Sequence, residues 1–545
     1  MKPFIFSRLS LYLLFLFGAT FVAKAQTQRS DSTLHQSMVV EQDYQSEISD
    51  AAKLNALPKP IPVTIQKQRI RYIFSSTLPS QWEAAPLLSS YKNPISMEKS
   101  LKNYLRLGYG GMGRVDGALF LKGALSPDSE ISLTATLAGI DGSFEQEEGS
   151  AYDMHYYRTR VGLDYLKHAA TLDWGMDAWI GVDNYTFAYD GAAANLALTT
   201  QSTPQVTLHS FVRSQREQVK LKAGISYSYF GIDDLPALAL KGYKEQQLTF
   251  DGEMESSFSA THKVGVRVKA NRTFYSIAQA EAHTYLSVSP YYSFAKEKWD
   301  IRLGINVALQ NADKVRYHVA PNLYLAYHWM DTGLLYLSAT GDVQLTDRRY
   351  LQTRYPYLST EQISNKSSFQ PLDLQLGVRA FFSGFWGNLY GGYEYIINDI
   401  YLPVTTATLQ TIEQHDTKRT VFGAALKYQM KDRISCELSA KVYGWSTPLP
   451  AAYYLLKASS QLKATLTYRP VQPLELSAVY TYTGREKTAH FIDDFSCFNV
   501  KAVYSIHPKF SIYADVNNLL NEKSYAFPNY PMPTFSILGG IRVVF

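Results

Sequence analysis

The sequence predicts an all-β protein: a transmembrane antiparallel meander β-barrel of about 22 strands, preceded by a short extended periplasmic segment. Three observations carry that prediction. From Asn103 onward apolar and polar residues alternate with a period of two, and no helical period competes with it. The connections alternate between short turns and long loops, as in outer-membrane barrels. Tyrosine contributes 41 of 545 residues, an excess that suits aromatic girdles at two membrane interfaces.

Residues 1–25 read as a signal peptide. Lys2 and Arg8 form a positive start, Leu9–Val22 is apolar, and Ala23-Lys24-Ala25 offers small residues for cleavage before Gln26. The apolar run is too short for a comfortable membrane span, and no later stretch supplies the roughly 20 apolar residues a spanning helix needs. An exported chain of this kind is either soluble or a barrel, the other structure that satisfies its own backbone in lipid. The expected location is the outer membrane of a Gram-negative cell.

Residues 26–102 are punctuated by Pro58, Pro60, Pro62, Pro79, Pro86 and Pro94. They read as an extended periplasmic segment that contacts the lumen or a partner.

Residues 103–545 read as the barrel. Ile131, Leu133, Ala135 and Leu137 alternate with Glu130, Ser132, Thr134 and Thr136, and Ile434, Cys436, Leu438, Ala440 and Val442 alternate with Ser435, Glu437, Ser439 and Lys441. Each is a strand with one apolar face, and Cys436 falls on that face. Short turns are expected at 126–129, 295–298, 430–433, 469–473 and 506–509. Longer loops are expected at 139–151, 184–203, 231–244, 346–371, 398–417, 484–494 and 519–533. An even strand count puts Asn103 and Phe545 on the same side. The glycine-rich stretch Gly108–Gly113 reads as hairpin chemistry. The pairs Tyr156-Tyr157, Tyr291-Tyr292 and Tyr453-Tyr454 lie near strand ends, as girdle residues would. A soluble propeller would repeat a signature about every 40–50 residues, and none is found.

The stretch from Ser511 to Tyr525 contains Asp515-Val516-Asn517-Asn518-Leu519-Leu520-Asn521-Glu522-Lys523-Ser524-Tyr525, and a final strand runs from Pro533 to Phe545. This resembles the C-terminal end of TonB-dependent receptor barrels, where a strand ending V-x-N-L-F-N-K-x-Y precedes a loop and a last strand with a terminal aromatic. The resemblance implies a 22-stranded barrel, and Phe545 as the signal read by the barrel-assembly machinery. It also implies a globular plug, and here the chain departs from the pattern: residues 26–102 are too few and too rich in proline for one. Met38-Val39-Val40-Glu41 loosely resembles the short box that TonB engages; a match of three or four residues arises easily by chance, and a strand that adds to a partner's sheet, or a linker, is the better reading.

The inward face should be polar. Asp251, Glu253 and Glu255 share a face of one strand; Lys220 and Lys222 lie on the strand before it, Arg267 and Lys269 on the strand after. Meander topology would sandwich an acidic stripe between two basic ones. Arg302, Arg379, Lys427, Glu437, Lys441 and Lys463 are further lumen candidates, as are Arg158, Asp173, Asp177 and Asp373. Mixed signs favour cross-strand pairing over a selectivity ladder. Arg348, Arg349 and Arg354 stand with Tyr350, Tyr355 and Tyr357 in the longest expected loop, which reads as solvated.

Composition excludes other classes. Lys+Arg number 53 against 48 Asp+Glu, a net charge of +5, without the concentrated basic face that nucleic-acid binding needs. Cys436 and Cys497 are the two cysteines and form no CxxC, so a disulfide scaffold or cysteine-based zinc module is excluded. No HExxH, GxSxG or phosphate-binding loop occurs, and His155 beside Asp153 and His490 near Asp493 and Asp494 are the only acid–histidine clusters in expected loops. Neither enzyme activity nor a cofactor or metal is expected. The expected function is solute transport through, or binding in, a polar lumen. The alternative is a scaffold or accessory subunit of an outer-membrane complex. The partners expected are the outer-membrane lipid bilayer, the assembly machinery and a periplasmic or outer-membrane protein.

Overall fold

The computed structural model describes residues 103–145, 151–190, 196–214, 218–233, 242–276, 282–311, 314–330, 332–358, 367–382, 384–403, 412–430, 433–446, 457–485, 494–527 and 530–545. Residues 1–102, with Met38–Glu41, the pair Tyr453-Tyr454, and His490 with Asp493 lie outside the described residues.

The strands in chain order are β1 (Tyr104–Gly110), β2 (Val115–Ser126), β3 (Ser129–Glu145), β4 (Ala151–His168), β5 (Leu172–Asp190), β6 (Leu196–Ser214), β7 (Val219–Ile232), β8 (Tyr243–Ser257), β9 (His262–Tyr275), β10 (His283–Lys296), β11 (Trp299–Asn311) and β12 (Val315–Met330). There follow β13 (Gly333–Gln344), the helix α1 (Arg348–Arg354), β14 (Ser368–Phe382), β15 (Phe385–Tyr401), β16 (Glu413–Met430), β17 (Ile434–Trp445), β18 (Ala458–Val471), β19 (Leu474–Arg485), β20 (Phe495–His507), β21 (Phe510–Asn517), the short ribbon β22 (Tyr525–Phe527) and β23 (Tyr530–Pro531), and β24 (Ser536–Val544).

Apart from the β22–β23 ribbon, these strands form one closed antiparallel sheet of 22. Each pairs with its sequence neighbour, and β1 closes on β24 with Tyr104 opposite Val544 and Gly110 opposite Leu538. The Phe545 amide donates to the Asn103 carbonyl at 2.9 Å, so both ends of the barrel chain meet at the short-turn rim, as an even count requires.

The outer face is apolar. Leu303, Leu376 and Val442 are 52, 55 and 54% exposed. They belong to a belt with Leu163, Ile180, Ile225, Leu248 and Leu466 that runs around the wall. A soluble monomer rarely exposes so continuous an apolar surface, whereas a bilayer-spanning barrel presents one. Exposed Trp174, Trp299, Trp329, Tyr468 and Tyr504 border the belt toward the short turns, and Tyr109, Phe274 and Tyr317 toward the long loops. These are two aromatic girdles. The tyrosine pairs predicted as girdle residues are placed differently: Tyr156 and Tyr291 are 5% exposed and face inward. Adjacent strand residues point to opposite faces, so a Tyr-Tyr pair cannot put both rings in one girdle.

Several inward tyrosines lie across a glycine on the next strand. Tyr291 is opposite Gly265 and Tyr336 is opposite Gly377. A Cβ added at either glycine would overlap the tyrosine ring. Glycine weakens a strand, and the ring laid over it restores packing.

Several strands run further than their alternation predicts. β3 reaches Glu145, β5 reaches Asp190 and β6 starts at Leu196, inside stretches expected to be loops. Only about 9–11 residues of a strand cross the hydrocarbon. Beyond it both faces are wet, the period of two fades, and pairing continues.

Candidate functional site

The register brings charges singled out from the sequence together across neighbouring strands. Lys220 is opposite Glu255 and Lys222 opposite Glu253; Asp251 is opposite Lys269 and Glu253 opposite Arg267. The acidic stripe on β8 is therefore flanked by basic residues on β7 and β9. Arg267 Nη2 donates to Glu253 at 3.1 Å, and Lys263 Nζ to Glu255 at 3.2 Å. The Tyr291 hydroxyl donates to both glutamates at 3.1 Å. Lys269 Nζ lies 3.7 Å from Asp342, and the Arg302 guanidinium lies 4.8 Å above the Tyr291 ring.

A second network lines β14–β17. Arg419 pairs with Glu394 at 2.5 Å, between the rings of Tyr443 and Trp445. Asp373, Glu394 and Lys441 are all buried, and Glu394 is opposite both Asp373 and Arg419. Arg379 Nε donates to Asn388 at 3.3 Å and its guanidinium sits 4.3 Å over Tyr336. Lys427 and Glu437, opposite each other, are 2.5 Å apart nearer the short turns. Lys463 is opposite Ser439 and Thr481 on the same inner face. Cross-strand pairing is thus the dominant arrangement of the interior charge.

The 346–371 connection corrects the prediction of a solvated loop. Arg348 is 2% exposed, Tyr355 7%, Tyr357 4% and Leu358 2%. The segment leaves β13 through a bulge between Thr340 and Asp342, and β14 has its own bulge between Phe369 and Leu372. Bulges bend strands and re-aim the chain beyond them. A Cβ at Gly341 would strike the Gln370 carbonyl, so the bulge in β13 admits only glycine there. Inward Tyr285, Ala308 and Ala320 on β10–β12 pack against Val343 and Phe369; the two alanines make room for the infolded hairpin.

Asp347 caps α1, accepting from the Tyr350 amide at 2.7 Å and from Gln247 Nε2 of β8 at 2.8 Å. Burial holds the Asp347 carboxyl above its ordinary range, against the opposing Tyr350 amide bond. Glu245 Oε2 accepts from the Arg348 and Arg349 amides at 2.9 and 3.2 Å.

Further along, Gln352 Nε2 donates to the Tyr185 hydroxyl of β5 at 2.8 Å, and that hydroxyl donates to the Pro356 carbonyl at 3.0 Å. Tyr357 stacks on Tyr530 at 3.4 Å and meets Tyr185 edge-on at 5.8 Å. Leu351, Tyr355, Tyr357 and Leu358 join Ile140, Met154, Tyr156, Ile400 and Tyr530 in one buried cluster. β4 and β5 stand nearly half the circumference from β13 and β14. A chain that starts and ends at β13 and β14 yet packs on Tyr156 and Tyr185 spans the interior. The lumen is crossed just below the long-loop rim by a segment of the chain itself.

Between this segment and the wall lies a cavity of 20 Å³, lined by Tyr156, Arg158, Asp183, Gln205, Gln352 and Pro356. That is room for about one water. Arg158 binds Asp183 through both Nε and Nη2, at 3.1 and 3.0 Å. Among the described residues no cluster of His, Cys, Asp and Glu is placed to hold a metal ion.

The C-terminal motif builds a tight corner. Asn518 and Asn521 adopt positive φ (47° and 53°), which asparagine tolerates better than most residues. Asn518 Nδ2 donates to the carbonyls of Glu522 and Pro533, and the Phe535 amide donates to Asn521. The corner places the ribbon that carries Tyr530 over the lumen.

No protein-family model matches the sequence, and no curated protein matches it. Solved structures do. The chain is similar to the FrpB iron transporter from Neisseria meningitidis, at 11% identity and TM-score 0.63, over 82% of each chain. It is similar to the ferric-catecholate import receptor Fiu from Escherichia coli K12, at 9% identity and TM-score 0.61, over 82% of each chain. A mutant of the ferric enterobactin receptor PfeA from Pseudomonas aeruginosa matches at 10% identity and TM-score 0.61, over 82% of this chain and 81% of that one. At such identities the likeness shows a shared fold: the barrel has the architecture of TonB-dependent receptor barrels, as the C-terminal resemblance implies.

Proposed function

We propose that this chain is an outer-membrane barrel that passes or binds a solute through its polar interior, with the segment 346–358 as its gate. One observation carries the reading: a charged interior is crossed by a segment of the chain held by a few hydrogen bonds and one aromatic cluster. A wall built only as a scaffold has no need of a segment that bulges inward from two strands. Kinship of fold with iron transporters and receptors supports transport, and the solute's identity is left open. Export by a cleaved signal peptide, insertion read from Phe545, and lumen or TonB contact by residues 26–102 through Met38–Glu41 belong to the same proposal.

The second reading is a scaffold or accessory subunit. The cross-strand pairing of interior charge favours it, because such pairs hold a wall together without selecting anything. Planar-bilayer recordings separate the two. The chain lacking its signal peptide is compared with a form lacking residues 26–102 and with one whose residues 347–357 are replaced by a Gly-Ser linker. Transport with 346–358 as the gate predicts that the linker form conducts. If all three forms stay silent, and the protein leaves the membrane in mild detergent as a stoichiometric complex, the scaffold reading replaces it.

A further inference from the structure

We propose that Glu245 is a proton-operated latch: as a neutral carboxyl it holds α1 across the lumen, and on ionising it releases the segment. The proposal rests on the reading of 346–358 as a gate and adds how that gate is regulated.

The geometry is unequal at the two oxygens. Glu245 is 1% exposed. Its Oε2 takes the amides of Arg348 and Arg349 and, at 3.4 Å, the Tyr243 hydroxyl. Its Oε1 is buried and receives no hydrogen bond. A buried carboxylate needs donors on both oxygens, and an unmet anionic oxygen is costly. A neutral acid accepts through its carbonyl oxygen and carries its proton on the other. Glu245 fits that division at Oε2, and a proton on Oε1 without an acceptor costs less than a buried anionic oxygen there without a donor.

Every ionisable neighbour bears on the balance. From the segment, Asp347 stands against Glu245, and Arg349 and Arg348 supply positive charge. The Arg348 guanidinium donates to the Leu358 carbonyl at 3.4 Å. From the wall come the phenols of Tyr243 and Tyr275, with ring centroids 6.0 Å apart. Burial raises Asp347 as well, so the site as a whole resists a second negative charge.

The sign is set by where the proton sits. The closed gate holds a proton that the open, hydrated form gives up in the ordinary carboxylate range. Closure is therefore fully favoured below that range and is lost as pH rises through the closed-state value. One proton changes the open-to-closed ratio by at most about tenfold per pH unit.

The test uses the chain without its signal peptide in planar bilayers, from about pH 5 to about pH 9. Three forms are recorded: wild type, Glu245→Gln, and the chain with residues 347–357 replaced by a Gly-Ser linker. Glutamine keeps the shape and fixes the neutral state. The wild type should open more often as pH rises, Glu245→Gln should stay closed throughout, and the linker form should conduct at every pH. A closed linker form would overturn the gate itself. A conducting linker form with a pH-independent wild type, or a Glu245→Gln that titrates like the wild type, would overturn the latch alone. If Glu245→Gln fails to give a heat-modifiable barrel, Thr346→Cys in a Cys436→Ser/Cys497→Ser background serves instead. Thr346 is 3% exposed; because the thiolate fraction alone raises maleimide labelling with pH, its labelling by a membrane-impermeant maleimide is taken at each pH relative to the same cysteine in the linker form, and that ratio should rise with pH; a ratio flat in pH overturns the latch.

Discussion

Truncating Tyr357 to alanine should free the crossing segment while leaving the wall intact. The ring is 4% exposed, stacked on Tyr530 and edge-on to Tyr185, so it ties 346–358 both to the final loop and to β5. Removing a buried aromatic side chain costs about 3–5 kcal/mol. The open form has already lost this contact, so nearly the whole cost falls on the closed form. At about 1.4 kcal/mol per decade, the lower figure shifts the open-to-closed ratio by roughly 150-fold. The assay is opening frequency in planar bilayers, with heat-modifiable migration to show that the barrel is formed. Tyr336→Ala is the matched control, because Tyr336 is equally buried but covers Gly377 on the wall. It should weaken the barrel without raising the opening frequency. The reasoning is refuted if Tyr357→Ala opens no more often than wild type in a well-formed barrel. Equal opening by Tyr336→Ala would refute it too, since the effect would then be one of general loosening.

The wall yields further outcomes. Gly377→Val should lower the urea midpoint by an amount equivalent to about 1–3 kcal/mol, because its side chain meets the Tyr336 ring, whereas Gly123→Val, with nothing within 4 Å, should be nearly silent. Glu394→Ala strands Arg419 in a buried site and should cost about 3–5 kcal/mol in the same titration; replacing both by leucine should recover most of it, and no recovery would show that the pair is more than mutual compensation. Cys436 shares its face with Leu438 and Leu466, which are 37 and 44% exposed on the outer wall. In a reconstituted bilayer it should react with a membrane-soluble maleimide and be spared by a charged one; labelling by the charged reagent would contradict its placement in the belt.

The barrel was legible because its physics repeats. Each crossing obeys the period of two, so the strand number could be read from that period and the neighbours of Glu253 from meander order. The acidic stripe of β8 between Lys222 and Arg267 is the clearest case. The crossing segment was not legible, although it left a trace: Leu351, Tyr355 and Leu358 stand at helical spacing, i, i+4 and i+7. Seven residues of helix are too few for that spacing to outweigh three arginines, which argue for water. The arginines mislead because the fold covers them: the Arg348 amide is bonded to Glu245, a residue about a hundred positions away that no short-range pattern links to it, and its guanidinium donates to the Leu358 carbonyl. The inward tyrosines failed for another reason. Composition counts rings without assigning them a face, and half of each Tyr-Tyr pair must turn toward the lumen.

Charge pairing also fixes where selection can occur. Along β7–β9 and β14–β17 most acids face a base across the ladder, as Glu253, Glu255, Asp251, Glu394 and Glu437 do, so the field along the wall largely cancels and discriminates little between cations and anions. The crossing segment differs in kind. It crosses the lumen, and it presents phenols, amides and three guanidiniums rather than alternating charge. If a solute is chosen by this barrel, the choice is made by shape and hydrogen bonding where 346–358 meets Tyr185, Gln247 and Tyr530. Substitutions at Gln352 or Tyr185 should therefore change which solutes pass, whereas charge-swapped pairs such as Lys222/Glu253 should change stability and leave selectivity nearly as it was.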